Sequence, residues 1–120
     1  MCARAARAKA YTTQQLIKVS VLYPATADGH FDFEYYETRH IPLVVERCGG
    51  ALKRGQVERG IAGLEPGSAA PFCVAGHLFF ESAEAMQAVF DRHLPEIMAD
   101  VPNYTDIQPT IQISEVVLDR

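Results

Sequence analysis

Twenty residues, Phe31 to Gly50 (FDFEYYETRHIPLVVERCGG), repeat their apolar side chains at helical intervals, whereas the runs on either side of them follow the shorter period of strands. This change of period restricts the fold most, because a helix with one apolar stripe must bury it against a second layer. Upstream, Leu16 to Tyr23 (LIKVSVLY) is rich in β-branched and aromatic residues and stops at Pro24, which marks a first strand. Its Ile17, Val19 and Val21 share one face, and the other carries Lys18 and Ser20 beside Leu22. Gly49 and Gly50 close the helix, where a positive φ suits glycine. A second strand is predicted over Ala51 to Ile61, a loop of small residues over Ala62 to Pro71, and a third strand over Phe72 to Phe80. Ser82 can cap a second helix with Met86, Val89, Phe90 and His93 on one face. A proline-broken stretch, Leu94 to Tyr104, then leads to a last strand near Ile107 to Val117.

The order β-α-β-β-α-β predicts an α+β, ferredoxin-like sandwich, with two helices over one face of a four-stranded antiparallel sheet. Ile111 and Ile113 should face the helices, leaving Thr110, Gln112 and Ser114 on the open face. In one of two registers the third strand adds Cys73, Ala75, His77 and Phe79 to that face. Such a surface is too apolar for water and too polar for a core. A second copy stacked on it would cover it, so a homodimer is expected.

At 120 residues, the chain has the size of one domain able to bury a core without metal or disulfide staples. The expected division is an N-terminal arm, residues 1–15, and a single domain over residues 16–120. Hydrophobic content of 48% with 22% charged residues is that of a soluble globular protein, and no apolar run is long enough for a membrane span. Three cysteines, Cys2, Cys48 and Cys73, form no CxxC pair and suit a reducing cytoplasm. Arg4, Arg7 and Lys9 lie in the arm, and without them 8 basic residues face 15 acidic ones, a balance that repels nucleic acid. The four histidines show no metal-ligand spacing, and neither a phosphate-binding glycine loop nor a serine-hydrolase elbow is present. Cofactor-free chemistry or simple ligand binding is left.

Within the first helix, Phe33, Tyr36, His40 and Val44 share the stripe that should look inward. Pro42 cannot donate to the carbonyl of Thr38, so the helix should bend or pause there. A phenol and an imidazole on an inward face either satisfy each other and nearby backbone, or line a cavity open to a ligand.

IKVSVLYP, YYETRHIPLV, FFESAEAM and DVPNYTDIQPTIQISEV, in that order from Leu16 to Val117, resemble the EthD family, named for ethyl tert-butyl ether degradation. The resemblance implies a dimeric α/β barrel, the assembly of muconolactone isomerase-like proteins and small antibiotic-biosynthesis monooxygenases. It also implies an association with oxidative ether or xenobiotic degradation beside a cytochrome oxygenase system; some fungal relatives look like dehydratases of aromatic polyketides. It carries over Tyr36, Arg39, His40 and Asp100 without giving any of them a role.

His40, with Tyr36 one turn earlier, is the candidate catalytic pair: imidazole exchanges a proton near neutral pH, and the phenol can donate to a carbonyl or orient the ring. Arg39, His77 and Phe33 are candidate substrate contacts. Arg39 lies around the helix, where pairing with Glu46 or another acid is the simpler reading. His77 joins His40 only if the strand register is the alternative one. Asp100 reads as a residue that closes the DVPNYT turn. Three functions remain open: binding or transformation of a small apolar organic molecule in an oxidative pathway, a cofactor-free isomerase or dehydratase, and a non-catalytic accessory module of an oxygenase.

Overall fold

The computed structural model describes residues 16–120; the expected N-terminal arm and Cys2 lie outside the described residues. Four strands, β1 (Ile17–Pro24), β2 (Leu52–Arg59), β3 (Phe72–Phe80) and β4 (Thr110–Glu115), form one sheet in the order β2-β3-β1-β4, with every neighbouring pair antiparallel. Helix α1 covers residues 33–48 and helix α2 is Ala83–Ala99. The architecture is the expected ferredoxin-like α+β sandwich.

The register settles which side chains meet the helices. Val19 sits opposite Leu78 and Ile113, and Val21 opposite Gly76 and Ile111, so these residues share the helix-facing side. Ser20 pairs with His77 and Lys18 with Phe79, which puts Cys73, Ala75, His77 and Phe79 on the open face, in the first of the two registers. Ile111 and Ile113 face the helical side as expected but remain 43% and 53% exposed, because β4 is an edge strand beyond the reach of the helices.

Helix α1 is capped by Asp32, whose side chain accepts from the Tyr35 N–H. It runs as a short α-helical Phe33–Tyr35, a π-helical turn Tyr36–His40 and an α-helical Ile41–Cys48. The expected pause thus takes the form of a π-turn just ahead of Pro42. Widening the turn passes the Ile41 N–H back to the Tyr36 carbonyl and spares the proline ring a clash with the preceding turn. Thr38 folds its hydroxyl onto the Glu34 carbonyl at 2.7 Å. Gly49, at φ 56°, ends the helix in the left-handed region that favours glycine.

Two boundaries differ from expectation. Helix α2 does not break at Leu94 but runs through Pro95 to Ala99. Pro95 and Asp91 are both exposed, so the carbonyl left without its donor is hydrated, while continuing the helix buries Ile97 and brings Glu96 to Arg47 of α1. The last strand starts at Thr110, not Ile107. Thr105 holds the preceding segment in another shape, donating to the His30 carbonyl at 2.6 Å and accepting from the Ile107 N–H at 3.0 Å, and Ile107 is buried among aromatic rings.

Candidate functional site

The space between helices and sheet holds two clusters. One, around Val19, Val44, Phe80, Met86 and Ile97, is mainly aliphatic, with Phe90 packed edge-on against Phe80. The other joins Tyr23, Tyr36, Val74, Tyr104 and Ile107, with Phe31 and Phe33 at its margin. Between them lies a cavity of about 550 Å³, walled by Val21 and Gly76 of the sheet, Tyr36, His40 and Val44 of α1, and Leu94 of α2. A cavity of this size falls in the range used for small organic ligands.

His40 is 5% exposed, and its Nδ1 lies 2.9 Å from Oδ2 of Asp100. No partner is present for Nε2 among the described residues. Asp100 is placed at the C-terminal end of α2, where it also accepts from the Tyr35 hydroxyl at 2.8 Å and from Nδ2 of Asn103 at 2.9 Å. Burial alone would raise the Asp100 carboxyl, but the hydrogen bonds from Asn103, His40 and Tyr35 carry it below the ordinary carboxylate value. Burial likewise dominates at His40 and lowers its pKa, against the pull of Asp100 in the other direction. The pair is therefore a neutral imidazole donating from Nδ1 to a carboxylate, with Nε2 left as a base.

The rings around this pair are locked together. Tyr36 and His40 stack with centroids 5.7 Å apart at 17°, and Tyr104 closes on His40 at 4.6 Å and on Tyr36 at 5.1 Å. The Tyr23 and Tyr104 hydroxyls are 2.5 Å apart and satisfy each other. The entry to α1 is tied to the same corner by the Asp32 N–H donating to the Tyr104 carbonyl and by a bridge from Phe31 to Thr105. The helix stripe and the end of α2 are thereby brought to one point.

The sequence-level candidates separate accordingly. Tyr36 and His40 line the cavity together. Phe33 stands at the margin of the aromatic cluster, half-buried, with the Arg59 guanidinium 4.1 Å from its ring centroid. Arg39 is exposed and lies over the Tyr35 ring at 5.7 Å; Glu46 is paired with Arg47, and among the described residues the expected ion pair of Arg39 with Glu46 or another acid does not form. The cavity wall passes His77, but its imidazole belongs to the opposite face of the sheet, bonded to Ser20 Oγ at 3.1 Å and to Glu58 at 3.3 Å. Asp100 does close its turn, accepting the Asn103 backbone N–H on its carbonyl, and in addition it holds His40. That second role has no signature in spacing, since the two are 60 residues apart. Among the described residues, no group of His, Cys, Asp and Glu could hold a metal ion.

The α+β sandwich, with a cavity between helices and sheet and a carboxylate-held histidine on its wall, places the chain in the ferredoxin-like class. The chain belongs to the EthD family: the EthD domain profile matches residues 27–108. It is similar to an EthD-like protein from Ralstonia eutropha, at 44% identity over 89% of this chain and 96% of that one, with a TM-score of 0.83. A protein of the ethyl tert-butyl ether (EthD) family from Bacillus halodurans shares the fold at 19% identity and a TM-score of 0.69, over 85% of this chain and 99% of that one. No functionally curated protein matches.

Proposed function

We propose that the cavity binds a small apolar organic molecule and that His40 moves a proton to or from it without a cofactor. The observation that carries this reading is the asymmetry of the imidazole: Asp100 occupies Nδ1, while Nε2 has no described partner on a ring that lines an apolar cavity. A histidine that served only structure in an accessory module would have both nitrogens bonded inside a closed core. Tautomer and orientation are fixed by the carboxylate, as a general base requires. Isomerisation and dehydration are reactions such a base supports without a cofactor. In oxidative breakdown of an ether or another xenobiotic, a step of this kind would follow an oxygenase. The free thiols of Cys48 and Cys73 suit a cytoplasmic setting.

Ligand-observed NMR with naphthalene tests the cavity. Saturation transfer in the wild type, lost in Val57→Phe at the half-exposed cavity wall, supports the reading; no transfer to naphthalene rejects it.

We also propose that the open sheet face pairs with a second copy. Ile61 and Leu64 in the β2–β3 loop are 93% and 99% exposed, and Val117 and Leu118 at the end of the chain 78% and 73%. Apolar side chains left so bare at the margins of one sheet suit burial against a partner. Light scattering that reports a monomer across micromolar concentrations would reject the pairing.

A further inference from the structure

We propose that the cavity selects a neutral, enolisable carbonyl compound, its oxygen held by the Tyr36 hydroxyl and its acidic C–H presented to Nε2 of His40. The inference rests on the proton-transfer reading above and adds the substrate class to it.

Tyr36 is 2% exposed, and its hydroxyl has no hydrogen-bond partner among the described residues, in contrast to Tyr23, Tyr35 and Tyr104, each of which has at least one. A buried hydroxyl is rarely left without a partner, so one on a cavity wall calls for a ligand acceptor. Its position is fixed from both sides. The ring is boxed by Tyr23, Phe31, Phe33 and Tyr104, and the hydroxyl rests over Gly76, where an added Cβ would lie 2.8 Å from the oxygen. Only glycine leaves that oxygen free to project along the wall. Burial raises the Tyr36 pKa far above the ordinary phenol value, so the group is a donor and not a phenolate.

Donor and acceptor are therefore assigned. Tyr36 gives a hydrogen bond, and His40, neutral, takes a proton; the two rings lie nearly parallel on one helix face. A molecule that satisfies both needs an oxygen acceptor next to a proton of moderate acidity, which describes a carbonyl and its α-carbon. Charge narrows the class further. The cations at the cavity's edge are engaged elsewhere: Lys53 pairs with Glu81 at 3.0 Å and Arg54 lies over the Phe79 ring at 4.3 Å. A carboxylate or phosphate would be desolvated among apolar walls without a counter-ion.

The chemistry balances within these groups. Nε2 takes the α-proton, the C–H electron pair becomes the C=C bond, and the carbonyl π pair moves to oxygen, where Tyr36 stabilises the enolate by hydrogen bonding. Where the carbonyl compound carries a β,γ double bond, the enolate is a dienolate, and returning the proton to its γ-carbon shifts the C=C bond into conjugation and completes an isomerisation. Delivering it to a departing β-hydroxyl releases water and completes a dehydration. Neither route takes up an electron, oxygen or another reactant.

The test uses three probes on the whole protein: 2-tetralone, its hydrocarbon counterpart tetralin, and the anion 2-naphthoate. Binding is followed by NMR titration, and exchange of the 2-tetralone α-protons for deuterium is followed in D₂O. The expected result is 2-tetralone binding at least about tenfold tighter than tetralin, no saturable binding of 2-naphthoate, and exchange that His40→Gln abolishes. Tyr36→Phe should remove the preference for the ketone and slow exchange at least about tenfold, while tetralin binds as before, which shows that the variant is folded. Equal affinity for tetralin and 2-tetralone, tight 2-naphthoate binding, or exchange indifferent to His40 would overturn the substrate class. If tetralin binds and only the ketone preference is missing, the apolar cavity stands and this inference falls. If none of the three binds, the cavity reading falls with it.

Discussion

The two clusters between helices and sheet both border the cavity, yet one is almost wholly apolar and the other is not. The aliphatic end packs Val19, Val44, Phe80, Met86 and Ile97 with no hydrogen-bonding side chain other than the Cys48 thiol, which burial pushes above its ordinary pKa and so keeps unreactive. The aromatic end buries the phenols of Tyr23, Tyr36 and Tyr104 and sets them against His40 and the Asp100 carboxylate. Burying polar groups is costly, and their hydrogen bonds return only part of that cost. A chain that needed stability alone would have repeated the aliphatic solution. The contrast teaches that the Phe80 end offers apolar packing alone, while the Tyr36 end ties most of its polar groups to one another and leaves the Tyr36 hydroxyl and His40 Nε2 without a partner among the described residues.

The largest effects should separate the two ends. Phe80→Ala, at a side chain with no exposure, should destabilise by about 3–5 kcal/mol. Chemical denaturation measures that loss, and per folded molecule the α-proton exchange of 2-tetralone should be unchanged. His40→Gln should act in the opposite way, lowering exchange by roughly 10²–10⁴ with little change in melting temperature. A large fall in melting temperature from His40→Gln would break the comparison, because it would make the imidazole a structural partner of Asp100. Asp100→Asn tests the same corner one bond further out. The amide can no longer hold the Nδ1–H tautomer as a carboxylate does, so exchange should fall by about 10²-fold while 2-tetralone binding persists.

Much of the fold was legible in the chain because it rests on local rules. Pro24, Gly49 and Ser82 mark element ends, and the alternation in LIKVSVLY fixes which side of β1 is buried. The inward stripe Tyr36–His40 was legible for the same reason, as was the pause before Pro42. What escaped depends on tertiary context. Pro95 signals a break by local rules, but exposed backbone at Asp91 and burial of Ile97 outweigh them. Ile107 reads as strand until Thr105 binds the His30 carbonyl across the fold. Asp100 and His40 meet only after both helices have docked, and no period in the sequence encodes a pair of that kind.

A smaller effect is expected where the two ends share the sheet. Gly76→Ala places a methyl group against the Tyr36 oxygen, and the boxed ring cannot turn away, so overpacking should cost about 1–3 kcal/mol and shift the ring. Thermal melting with the aromatic resonances of Tyr36 reads both. Should the variant melt like the wild type with the same Tyr36 shifts, the hydroxyl is not held over Gly76, and the contrast with the well-packed aliphatic end weakens.

The smallest effect is a dependence on pH, and its sign follows from burial. His40 has a folded pKa below its ordinary value of 6.5, so the unfolded chain binds this proton more readily than the native one. The stability contributed by the neutral imidazole is complete above that ordinary value and declines as pH falls through the window between the unfolded and folded pKa. Asp100, also depressed but relative to 3.8, adds a second loss only at lower pH, as its carboxylate is protonated in the folded state. Denaturant unfolding of the wild type should therefore show a first decline beginning near pH 6.5, and His40→Gln should lack it while keeping the later one. The acid limb of 2-tetralone exchange should have its midpoint below 6.5, since the base is lost only when the folded imidazole takes its proton. A midpoint above 6.5 would mean that the carboxylate, and not burial, governs the imidazole. The aromatic end would then be an ion-paired site, with a charged histidine facing the cavity.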